Sequence, residues 1–169
     1  DHGGDIDHEI DFCSKYSHRC LTRFYGFLKK NQTIIGFIYE FQSNGSLLHY
    51  SEIDEFYCII VIARLFEVIE YFHSNSLIHR DLSPSNILIN HDNLPYISDF
   101  ETIRQLEKNQ DFLPDYNLTN NIGSSFYSSP ELDIGQKVSY KTDIYSFGLI
   151  IYFLFNKENM WKSFCSDKS

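Results

Sequence analysis

Apolar residues between positions 6 and 16 recur at helical spacing, with Ile6, Ile10, Cys13 and Phe12 supplying one apolar face. The period then changes. LTRFYGFL and TIIGFIYEF read as two strands joined by the polar turn KKNQ, and the second is Ile- and aromatic-rich, as a buried strand is. QSNGS is a turn cluster. Residues 54 to 73 predict a long helix, because Ile59, Ile62, Ala63, Phe66, Ile69 and Phe72 recur at steps of three and four. Further apolar residues off that stripe predict burial on more than one face. Two short β-like runs follow, NILIN and PYISDF, separated by HDNL. Residues 101 to 128 are polar with few periodic apolar positions, too long for an ordinary connection, which points to a functional or mobile loop. Thr142 and Asp143 suit the start of a last helix, which contains the longest apolar run, FGLIIYFLF at 147 to 155. That run falls well short of the ~20 residues that span a bilayer, so a buried helix is expected and no membrane segment. The order of elements predicts an α+β fold with helices dominating the second half.

Composition narrows the function. The 169 residues suit one domain of ordinary size, or a piece of a larger one, and 43% hydrophobic residues suffice for a core. Acidic residues outnumber basic ones by 23 to 14, a net charge of −9, which argues against nucleic-acid binding and provides no polybasic membrane anchor. The four cysteines show no CxxC pair, and no secretory signal is visible, so a reducing, cytoplasmic setting is expected.

The chemistry concentrates in IHRDLSPSNIL, residues 78 to 88. An Asp followed five residues later by an Asn can divide two tasks of phosphoryl transfer. Asp81 takes or orients the proton of an attacking hydroxyl, and the Asn86 side-chain carbonyl binds a metal ion beside the phosphates. A second carboxylate must hold the metal, and Asp99 in ISDFE follows a β-like run at a suitable place. His79, Arg80, Asp81, Leu82 and Asn86 together satisfy H-R-D-L-x-x-x-N, a coincidence on the order of one in a few million starting positions.

On these residues the chain resembles the eukaryotic protein-kinase family, in order and over nearly its whole length. HEIDFCSKYSH looks like the end of the family's αC helix, with Glu9 at the ion-pairing position. FIYEFQSNGSL resembles the strand before the hinge, the hinge and the start of αD. The resemblance implies Tyr39 as gatekeeper, backbone groups of Glu40 and Gln42 for adenine, and Leu88 as the floor of its pocket. The metal-binding D-F-G appears as Asp99-Phe100-Glu101, A-P-E as Ser129-Pro130-Glu131, and YKTDIYSFGLIIY is similar to αF, where Asp143 ties that helix to the catalytic loop. It implies ATP and Mg²⁺ as cofactors, a protein substrate or regulatory protein as partner, and Ser/Thr rather than Tyr hydroxyls as acceptors, on Pro84 and GSSFYSSPE. Thr119, Ser124 and Ser125 are candidate phosphosites that Arg80 could pair with.

The expected architecture is a protein-kinase-like fold, truncated. Residues 1–41 form a remnant of the first lobe from αC to the hinge, and 42–169 part of the second lobe, from αD to just after αF. The glycine-rich loop and the lysine of the ATP lobe's third strand are missing, which leaves Glu9 without a Lys partner. Ser83 stands where a Lys neutralises the phosphate, and Glu101 replaces the glycine of D-F-G. The Arg that would pair with Glu131 is also missing. Two readings follow: a catalytic-domain fragment that transfers phosphoryl groups when complete, or a pseudokinase acting as a binding or scaffold module. A small-molecule kinase shares the Asp-x4-Asn loop but is opposed by the SPE and DIYSFG segments.

Overall fold

Helix α1 (Gly3–Lys15) turns Phe12 inward, and that ring sits 4.9 Å from Phe100 and 5.9 Å from Phe72, joining the start, middle and end of the site region in one core. The computed structural model describes residues 3–31, 33–107, 110–113, 126–133 and 137–166, with side chains from 8 to 156 within them. Strands β1 (Phe24–Lys30) and β2 (Thr33–Tyr39) form an antiparallel hairpin with two register shifts. The expectation of a buried β2 is corrected: Ile35 is 61% exposed and Ile38 is exposed too. The described neighbours of the hairpin cover one face only, so the alternate residues of a pleated strand point outward.

Beyond β2 the chain pairs back onto the middle of the molecule. Leu47 N–H donates to Ile87 (2.7 Å) and Ile89 N–H to Gly45 (2.8 Å). Gly45 takes φ 70°, a left-handed turn conformation that glycine adopts without steric penalty. Helix α2 (Glu55–Ser74) begins at Asp54, whose carboxylate accepts from Tyr57 N–H at 2.7 Å, satisfying one of the helix's unpaired first-turn donors. The predicted stripe on this helix is half wrong. Tyr57, Cys58, Val61, Leu65, Val68, Ile69 and Phe72 are buried, whereas Ile59 (61%), Ala63 and Phe66 (57%) face outward. The helix is apolar nearly all round, so periodicity alone does not select the inward face.

After α2 the chain builds three short pairings. Strand β3 (Leu77–Ile78) pairs with β6 (Arg104–Gln105), and β4 (Ile87–Ile89) with β5 (Pro95–Ile97), both antiparallel. The β4–β5 hairpin is the one read from NILIN and PYISDF. A 3-10 turn, Pro84–Asn86, leads into β4. The polar stretch from 101 is anchored at Ile103, Leu106 and Leu113, which are buried. Thr119, Ser124 and Ser125 lie outside the described residues. Helix α3 (Pro130–Asp133) precedes α4 (Tyr140–Ser166), which is kinked at Asn156. In FGLIIYFLF, Ile150, Phe153 and Leu154 are buried, but Tyr152 and Phe155 are exposed, so the expected buried helix is buried along one side. Among the described residues no helix is long and apolar enough to cross a membrane.

Candidate active site

Asp143 organises the site from below. It lies in the first turn of α4, fully buried, where the helix N-terminus favours negative charge. Its carboxylate accepts the backbone N–H of His79 (3.1 Å) and of Arg80 (3.0 Å), and His73 Nε2 lies 3.0 Å from Oδ2. The expected link of this helix to the backbone of the His79–Arg80 loop is therefore present in the geometry. Arg80 holds φ 71°, a left-handed conformation uncommon outside glycine that persists only where the surroundings fix it. Here they do: Arg80 Nε donates to Thr102 O (2.7 Å), and Thr102 Oγ1 donates back to His79 O (2.7 Å). Arg80 is buried in this role.

The clamped loop brings Asp81 and Asn86 together. Asn86 Nδ2 donates to both the backbone oxygen and Oδ2 of Asp81, each at 2.9 Å. This fixes the amide and leaves its carbonyl oxygen as an acceptor. Asn86 O in turn accepts from Ser98 N–H (2.9 Å) and Ser98 Oγ (3.1 Å), which seats the residue before Asp99. Asp99 itself takes φ 63° and is exposed. Burial pushes the Asp81 carboxyl above the ordinary range. The charge of Asp99 pushes the same way, against His79, Arg80 and the Asn86 hydrogen bond. His79, fully buried, is driven toward its neutral form by the same desolvation.

Glu40 and Gln42, expected to form a hinge, lie on the segment between β2 and β4. Glu40 N–H donates to Arg23 O (2.8 Å), so its carbonyl is the group it can offer. Gln42 O accepts from Gly45 N–H (3.3 Å), so its N–H is the group it can offer. Leu88 is half-buried in β4, opposite Tyr96 and bridged to Ser46.

The departures also acquire positions. Ser83 is 6% exposed and extended, and its carbonyl accepts Asn86 N–H at 3.0 Å. Glu101 is exposed, and the left-handed backbone falls at Asp99 rather than at Glu101, so the missing glycine meets no backbone obstacle here. In place of a lysine, Glu9 accepts a hydrogen bond from the Tyr39 hydroxyl. Glu131 accepts one from Thr142 Oγ1 at 3.1 Å. His73, Thr102 and the Tyr39 hydroxyl were not anticipated. They act through contacts across 70, 23 and 30 residues of chain, for which no spacing rule exists.

A mixed α+β fold with an Asp/Asn pair clamped beside a second Asp defines a phosphotransferase-like class of site. The protein kinase domain model matches residues 2–168. The chain is 34% identical over 157 residues to cysteine-rich receptor-like protein kinase 25 of Arabidopsis thaliana, covering 87% of this chain and 23% of that protein. It is 31% identical over 133 residues to serine/threonine-protein kinase PKH2 of Saccharomyces cerevisiae, covering 73% of this chain and 12% of that one. It is 34% identical over 102 residues to eukaryotic translation initiation factor 2-alpha kinase 3 of Bos taurus, covering 56% and 9%. The chain belongs to the protein kinase family and corresponds to part of a catalytic domain, spanning less than a quarter of the length of these relatives. Domains of this family in general use ATP and Mg²⁺.

Proposed function

We propose that this chain is part of a catalytic domain that, when complete, transfers the phosphoryl group of Mg-ATP to Ser or Thr hydroxyls of a protein substrate. Residues 1–41 act as first-lobe remnant and hinge, and 42–169 as second-lobe part. The observation that carries the reading is the Asn86 amide, held by Asp81 next to Asp99. The printed name of one relative, a serine/threonine-protein kinase, supports the acceptor class. Among the described residues Cys13, Cys20 and Cys58 are free thiols, which fits a reducing, cytoplasmic setting.

The donor set fits the cofactors. Mg²⁺ prefers oxygen ligands and takes few of them from protein, and Asn86 with Asp99 offers a carbonyl and a carboxylate. When bound, Mg-ATP supplies the phosphoryl group and the metal neutralises its charge. Glu40 O and Gln42 N–H orient the adenine edge, and Leu88 presents an apolar floor. Asp81 receives the proton of the attacking hydroxyl at its carboxylate, whose raised affinity for protons makes it a better base than an ordinary Asp.

The test is phosphate incorporation into a Ser/Thr-bearing protein, with Mg-ATP, by this chain completed with an ATP lobe that carries the glycine-rich loop and its lysine. Asp81→Asn should lower kcat by roughly 10²- to 10⁴-fold. Equal activity in that variant removes Asp81 from the role of base. A completed domain that transfers nothing with Mg²⁺ present, or just as much with it chelated, refutes the reading.

A further inference from the structure

We propose that Tyr39 is a positioning residue that clamps helix α1 to the segment carrying Asp99. Its hydroxyl donates to the Glu9 carboxylate and lies 3.4 Å from Cys13 Sγ, one helical turn further along α1. Its ring meets Phe100 edge-on at 6.0 Å and packs against Phe24 at 5.4 Å. Phe100 itself returns to α1 through Phe12 at 4.9 Å. The contacts close a ring: Tyr39 to α1, α1 to Phe100, and Phe100 to Tyr39. Asp99, the neighbour of Phe100, holds a left-handed backbone that needs such support.

Electrostatics explains why a hydroxyl is required and a phenyl ring is not enough. Glu9 is half-buried, and both Asp99 and Glu101 act on it with like charge. Burial is the larger obstacle to its ionised form, and the Tyr39 hydrogen bond opposes both effects. Without that donor, α1 would carry a poorly solvated carboxylate toward two others, and the helix end would move away from Asp99. The benefit of this clamp to catalysis rests on the phosphotransfer reading above; the clamp itself does not.

Hydrogen exchange on the full chain tests it, using Tyr39→Phe, which keeps the ring and removes the hydroxyl, together with Glu9→Gln and the double variant. Tyr39→Phe should speed amide exchange about tenfold in residues 8–15 and 98–103, the size expected for a hydrogen bond to a charged group, with helix α2 unchanged. In the Glu9→Gln background, where the charge is gone, adding Tyr39→Phe should change exchange by less than about twofold. A uniform rise that includes α2, no rise at all, or the same rise in both backgrounds overturns the proposal. Transfer assays on the same variants in the completed domain keep the two ideas apart. A wild-type completed domain without transfer refutes the phosphotransfer reading, while the exchange pattern alone decides the clamp.

Discussion

Ser83 is the residue at which charge is missing from the proposed reaction. It sits two positions after Asp81, and a hydroxyl there supplies no positive charge to a phosphoryl group. Its burial is that of a small side chain between Leu82 and Pro84, both buried as well. A lysine at this extended position has a long apolar stem that can lie along those neighbours while the ammonium reaches water. Ser83→Lys should therefore raise kcat by about a hundredfold, the scale of one charge-stabilising donor. Steady-state rates with Mg-ATP check it, and an unchanged rate in a folded variant removes Ser83 as the limiting defect. Asp81, Asn86 and Asp99 could be picked out as candidates from the sequence because the proposed chemistry fixes residue type and local spacing. The Tyr39–Glu9 contact was not, because it joins residues 30 apart through a fold that the pattern does not encode.

At the scale of an element, helix α2 shows where patterning fails. Both candidate faces are apolar, and the selected one is set by what packs on it: Phe72 meets Phe12 and His79, at 5.9 and 5.7 Å. Phe66 carries the same side chain on the same helix but is 57% exposed. Phe72→Ala should destabilise by about 3–5 kcal/mol, the usual result of emptying a fully buried aromatic site. Phe66→Ala should change stability by less than about 1 kcal/mol, since little is withdrawn from packing. Urea unfolding midpoints of the two variants compare them directly. Equal losses would mean that the outer face of α2 is covered in the protein under study. The helix as an element was legible from its length and its apolar steps of three and four, and the β4–β5 hairpin from two short β-like runs around a polar turn. The inward face required the tertiary contacts.

At the scale of the whole molecule, the site is a junction. The end of α2 contributes His73, the loop contributes His79 and Arg80, the turn after β5 contributes Thr102, and α4 contributes Asp143. Folding buries His79 completely, and Asp81 N–H lies 3.4 Å from its Nδ1. Desolvation is the main reason its affinity for a proton falls below the ordinary value of 6.5, although the charges of Asp143, Asp81 and Asp99 oppose it. The unfolded chain then binds more protons than the folded one once pH drops below about 6.5. Stability contributed by neutral His79 is present above that pH and is lost as pH falls through it, at up to about 1.4 kcal/mol for each pH unit. His79→Phe keeps an aromatic ring beside Phe72 and removes the titration. Melting temperatures of both proteins between pH 7.5 and 5.5 should fall more steeply for the wild type, so that the difference between them shifts toward the variant in acid. Parallel curves would show that His79 takes up its proton equally in both states, and that the junction is not sealed from water.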